Sequence, residues 1–291
     1  MFRTYRHGDK RVMHFTFASL DEFLTYVQQA ETAPAFATVE TSLQETPEDD
    51  QFMMTRSFDE AVKICRFGDH DGFDELMRLV GEVRRALDLP LESQRMFHDY
   101  VGFAPDVKAY LEGSPLSMVN MPPRKKRRVA LYLNTSCDGS TRRALIMHRG
   151  AVALAAAEAI ELVGFSVDLH VFEMSENDCD VHVSEFLLKD PDERVNPQKL
   201  YFPLCHPSWV RRLNFRLIET TPGIGGHWTG TYGYPAEVPL VRDVLGLGAD
   251  AIVFPSAKDA RIEGENVVED ARRIFAFINP LLPERAQLKL R

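Results

Sequence analysis

The residues best suited to chemistry lie in Asn134-Thr-Ser-Cys-Asp-Gly-Ser140 and in Arg142 and Arg143 just after it. Cys137 and Arg143 stand in a C-x5-R spacing between an apolar run, Val129 to Leu133, and a long Ala-rich stretch. On a strand-loop-helix, that spacing can seat a thiolate under backbone amides while the arginine clamps two phosphate oxygens, which would make Cys137 the nucleophile of a phosphatase. Two features argue the other way. Arg143 is followed by Ala144 rather than Ser or Thr, and Asp138 would put a carboxylate inside the anion cradle. A simpler reading is helix initiation, with Ser140 or Asp138 as cap and Gly139 in the turn.

Other candidates are electrostatic or aromatic. Residues 101–150 hold nine Lys or Arg against three Asp or Glu, although the whole chain carries −9. The basic block centres on Arg124, Lys125, Lys126, Arg127 and Arg128, with Arg142, Arg143 and Arg149 following, and could bind a nucleic acid by neutralising phosphates. A solvated linker is the competing account, since the run contains no aromatic residue for stacking on bases. Residues 220–234 contain five glycines, with His227, Trp228, Tyr232 and Tyr234 among them, as a loop that could anchor a protein partner or pack against the sheet edge. Cys179 and His182 could offer two metal ligands, but their surroundings look like the start of a strand. His148 reads as part of an ordinary helix surface.

The elements that must position these residues follow from periodicity. Strands are expected at 129–133, 165–172, 181–188 and 250–254, and helices at 141–163, 196–204, 207–214, 238–246 and 267–278. This alternation predicts an α/β domain over 129–291, a mostly parallel, Rossmann-like sheet with helices on both faces. The loop 134–140 then lies at the carboxyl end of a central strand, where such sheets bind ligands. Residues 1–121 read as a small α+β domain, with a strand at 14–17, two capped helices opening at Ser19 and Ser57, and a third over 73–87. Glu31 to Asp50 reads as a mobile loop, and 122–128 as a basic linker marked by Pro122-Pro123.

At 291 residues and 45% hydrophobic content the chain can fill an ordinary core. It has no apolar run long enough for a bilayer and no signal-like amino terminus, so a cytoplasmic protein with reduced cysteines is expected.

The loop also resembles the first element of the von Willebrand factor A domain, where a strand ends in Asp-x-Ser-x-Ser and the three side chains hold magnesium. The corresponding residues are Asn134, Ser136 and Asp138, and Asn134 lacks the leading carboxylate. The strand Ala251-Ile-Val-Phe254 ends in Pro255 and Ser256 where that family has an acidic turn, so the resemblance implies an A-like fold with a degenerate metal site and no cofactor. With Ser57-Phe-Asp-Glu-Ala61 and His206-Pro-Ser-Trp-Val-Arg-Arg212, the chain is similar to uncharacterised proteins common in bacteriophages, which would place it in the host cytoplasm. The kinship implies a binding or adaptor protein whose macromolecular partner is an ATPase or replication or transcription machinery. Nucleic-acid binding and the phosphatase remain the alternatives.

Overall fold

Gly8 turns the chain in a left-handed conformation, φ 58°, and joins β1 (Phe2–His7) to β2 (Lys10–Phe17) as an antiparallel hairpin. The computed structural model describes residues 1–47, 50–88, 97–100, 104–120, 127–193, 195–228 and 235–291. Three helices follow the hairpin: α1 (Leu20–Gln29), α2 (Phe58–Phe67) and α3 (His70–Ala86). The first two open as predicted, with Ser19 accepting from the Glu22 amide and Ser57 from the Glu60 amide. A small separate sheet contains β3 (Phe97–Asp99), β4 (Ala104–Pro105) and β5 (Met118–Asn120), with α4 (Val107–Leu111) between the last two.

The remainder alternates as the periodicity requires. β6 (Arg128–Asn134) leads to α5 (Arg143–Leu162), then to β7 (Ser166–Glu176) and β8 (Asp180–Lys189). α6 (Pro197–Cys205) is followed by a π-helical segment, Trp209–Asn214, that runs into α7 (Phe215–Glu219). α8 (Val238–Leu245), β9 (Ile252–Phe254) and α9 (Val267–Ile278) complete the order.

The six-stranded sheet has the order β1-β2-β8-β7-β6-β9, and this bears on two expectations. First, residues 1–121 do not stand apart as their own domain. β2 pairs in parallel with β8, and Phe15, Phe17 and Phe23 share one core with Val129, Leu131 and Leu133. Second, the sheet is α/β and mostly parallel as expected, but mixed: β2–β8, β6–β7 and β6–β9 are parallel, whereas β1–β2 and β7–β8 are antiparallel. Only a short turn separates β7 from β8, too little chain for a parallel crossover. The segment 31–47 is also not a mobile loop. Buried Arg212, Arg216 and Glu219 bond its backbone or side chains, and Phe36 is fully buried.

α5 is buried on every side from Ile146 to Ala157, as expected for a helix that is apolar all round. It packs against α3, α6, α9 and β7. Gly150 permits the closest approach, since a Cβ there would lie 2.6 Å from the Leu204 carbonyl oxygen and 2.3 Å from Cys205 Sγ. Among the described residues no helix is long and apolar enough to cross a membrane.

Candidate functional site

β6 has β7 on one side and β9 on the other, so the loop leaving its carboxyl end sits where the winding of the sheet reverses. Open α/β sheets place their ligand crevices at this point. A narrow cleft of about 20 Å³, near the room needed for one water, lies there. Its walls come from Ser136, Cys137, Asp138 and Thr141 after β6, Ile146 and Arg149 of α5, Pro235, and Ser256, Ala257 and Lys258 after β9.

Most of the loop's polar groups are already committed. Asn134 is buried and its Oδ1 accepts from the Ser136 amide at 3.0 Å. Ser136 Oγ accepts from the Met174 amide at 2.9 Å and lies 3.3 Å from Glu173 Oε1. Asp138 turns back on the chain, its Oδ1 accepting from the Ser140 amide and hydroxyl and from Thr141 Oγ1. The Ser140 hydroxyl bond leads the contacts that hold the Asp138 carboxyl below its ordinary range. The three proposed magnesium ligands therefore face three different partners. No cluster of three or more His, Cys, Asp or Glu suited to a metal occurs among the described residues.

The C-x5-R pair is not assembled. Arg143 reaches outward to an ion pair with Glu75 of α3, whereas Cys137 lies 5% exposed beneath the loop. Burial pushes the Cys137 thiol up, against the nearby charges of Arg211 and Arg149, which disfavours the thiolate that a phosphatase needs.

The basic residues divide as well. Arg127 and Arg128 are exposed at the amino end of β6, and Arg124, Lys125 and Lys126 lie outside the described residues. Arg142 bonds the Glu263 carbonyl at the strand's other end. Six residue steps separate Arg128 from Asn134, about 20 Å of strand, so Arg127 and Arg128 stand at the opposite end of β6 from the helix arginines. Arg149 leaves the basic surface altogether, at 2% exposure.

Trp228 and His227 of the aromatic loop anchor to their own protein. Trp228 is fully buried among Met13, Phe36 and Ile224, and its Nε1 donates to Asp180 Oδ2 at 3.2 Å. His227 Nε2 meets the same oxygen at 2.9 Å, and Arg11 spans both Asp180 oxygens. Tyr232 and Tyr234 lie outside the described residues. Cys179 and His182 flank the start of β8, where His182 Nε2 meets Thr221 Oγ1 at 3.0 Å. His148 is not on a surface; its Nδ1 meets Asp270 Oδ2 at 2.7 Å inside the α5–α9 contact.

Sequence reasoning missed two features. One is a sealed polar chain beneath the loop, in which Ser136 and Ser175 bond Glu173 Oε1 and His182 Nδ1 lies 3.6 Å from Glu173 Oε2. Glu173 and His182 each sit on a strand among apolar residues, and that pattern was the available signal. The other is Arg149, which makes no hydrogen bond or ion pair with any described residue although its Nε is fully enclosed. Burial holds its guanidinium below the usual range, and the groups pulling the other way are the thiols of Cys137 and Cys205 rather than carboxylates. Its position in Ile146-Met-His-Arg149, with apolar residues on both sides, marked it as inward-facing.

No curated protein and no solved structure matches this chain. The family model described as Domain of unknown function (DUF7192) matches residues 4–279, and the chain belongs to that family.

Proposed function

We propose that this chain is a binding module and not a catalyst, and that it takes its ligand in the cleft at the carboxyl ends of β6 and β9. The observation that carries this reading is the cleft's position at the switch point, combined with a loop whose reactive groups are locked: a buried thiol and an arginine turned away to Glu75. The first strand after the basic segment, β6, lies one strand from the sheet's edge with parallel neighbours on both sides, and that parallel surround supports the A-like reading, whose domains mostly act in binding. A thermal-shift screen of small metabolites tests the proposal, with Ala257→Trp filling the cleft. Stabilising compounds are expected to lose their effect in that variant and to be recovered unchanged after incubation. Compounds that act equally on both proteins, or that are turned over, refute it.

A second reading is favoured by the exposed Arg127 and Arg128 at the opposite end of β6. Nucleic-acid binding there would fall steeply with salt, by roughly 0.9 in log affinity per log salt for each phosphate contact. Gel shifts at two salt concentrations check it, and equal binding by a chain neutralised at Lys125, Lys126, Arg127 and Arg128 removes it.

A further inference from the structure

Among the cleft's ionisable groups, two cations are uncommitted. Arg149 reaches the cleft from α5, 2% exposed and without a hydrogen-bond partner among the described residues. Lys258 reaches it from the turn after β9, exposed and in no ion pair with a described residue. The remaining polar lining is occupied. Ser136 Oγ serves Met174 and Glu173, Ser256 Oγ donates to Asp259 Oδ2 at 2.7 Å, and Thr141 Oγ1 donates to Asp138. Asp138 is the lining carboxylate, and its Oδ1 is spent on the turn at Ser140 and Thr141.

Guanidinium has five donors, no acceptor and no accessible neutral form. Removing it from water without a counter-charge is costly, and natural proteins that bury an arginine normally supply a carboxylate or several carbonyls. Among the described residues none supplies either to Arg149, and the exposed ammonium of Lys258 stands at the mouth of the same cleft.

We propose that the cleft binds an oxyanion group of a small ligand, with Arg149 as the buried fork that receives it and Lys258 as the cation at the entrance. This rests on the binding-module reading and adds the ligand's chemistry. The cleft has room for little more than one water, so it admits the leading oxygen of the anionic group, and the rest of the molecule lies outside, against Pro235 and Ala257. A planar carboxylate and the outer oxygens of a phosphate both match the fork.

The experiment measures thermal stability at fixed ionic strength with sodium acetate, sodium phosphate or adenosine monophosphate replacing sodium chloride, on the full chain and on Arg149→Met and Lys258→Gln. At saturation, one or more of these probes is expected to raise the wild-type Tm by about 5 °C. Acetate acting alone assigns the group as a carboxylate, and a response to phosphate or the nucleotide assigns it as a phosphoryl group. Calorimetry should show affinity reduced at least about tenfold in Arg149→Met and about threefold in Lys258→Gln. Phosphate also stabilises proteins by exclusion from their surface, which would act equally on all three chains. An equal rise in all three, or no response to any probe, overturns the proposal. If Arg149→Met does not fold, Lys258→Gln decides: unchanged affinity overturns the proposal and reduced affinity upholds it. A neutral compound that binds in an Ala257→Trp-sensitive way, equally in wild type and Arg149→Met, overturns the anion assignment while leaving the binding module intact.

Discussion

Arg149 and Arg212 are the same residue type, buried to 2% and 0% exposure in neighbouring parts of one core, yet the chain treats them in opposite ways. Arg212 leaves the π-helical segment with five hydrogen bonds, to the carbonyls of Ser42, Gln44 and Thr55 and the hydroxyls of Thr46 and Thr55. It staples a segment with little regular structure onto the core. Arg149 has none of these. The difference teaches that burial alone does not mark a site; the absence of internal satisfaction does.

The largest effect should come from breaking the satisfied arginine. Arg212→Met removes five donated hydrogen bonds, leaves the Ser42 and Gln44 carbonyls without this donor and loosens the segment's hold on the core, so urea unfolding should show a loss of about 4 kcal/mol. Amide exchange in that segment should speed up before the rest of the protein opens. A loss under about 1 kcal/mol would mean that the segment is held by its apolar contacts instead.

His206 shows a third treatment of a buried ionisable group, neutrality. Its Nδ1 accepts from the Ser208 amide at 3.1 Å, which requires that nitrogen to be unprotonated, and burial pushes its pKa down to about 4 from 6.5. Unfolding exposes the ring, so between these values the unfolded chain binds the extra proton. Stability is therefore complete above about pH 6.5 and is lost as pH falls towards about 4, by up to about 3 kcal/mol. His206→Gln should flatten this slope in urea titrations taken from pH 7 to pH 4; an unchanged slope would assign it to carboxylates. Histidine can escape its charge in this way, and arginine cannot.

These contrasts explain what could be read from the chain. Periodicity located β6, α5 and the capped helices because their apolar spacing is local. The hairpin β1–β2 and its parallel pairing with β8 could not be read, because nothing in Phe2–His7 or Lys10–Phe17 says which distant strand completes the sheet. The site's address was legible for the same local reason. Its chemistry was not: Cys137, Asp138 and Arg143 have reactive types in a suggestive spacing, but their orientations are set by Arg211, Ser140 and Glu75, two of them far away in sequence. The apolar neighbours of Arg149 marked it as inward-facing, but its want of a partner among the described residues could not be read, since that is a property of the folded neighbourhood.

Arg149→Met should act with the opposite sign to Arg212→Met. In buffer free of oxyanions, a methionine of similar length removes an unpaid desolvation cost while keeping most of the packing, so a gain of about 1–2 kcal/mol is expected in urea unfolding. A loss similar to that of Arg212→Met would place Arg149 among the structural arginines and dissolve the contrast.

The smallest effect belongs to Lys258. An exposed ammonium with no described partner contributes little to folding, and Lys258→Ala should change unfolding stability by no more than about 0.5 kcal/mol in oxyanion-free buffer. Its influence should emerge only when the cleft is filled, because the ion that neutralises Arg149 is also the one nearest the lysine. A change larger than about 1 kcal/mol without ligand would tie Lys258 to the turn after β9, where Ser256 and Asp259 bond each other, and leave Arg149 as the cleft's single recognising cation.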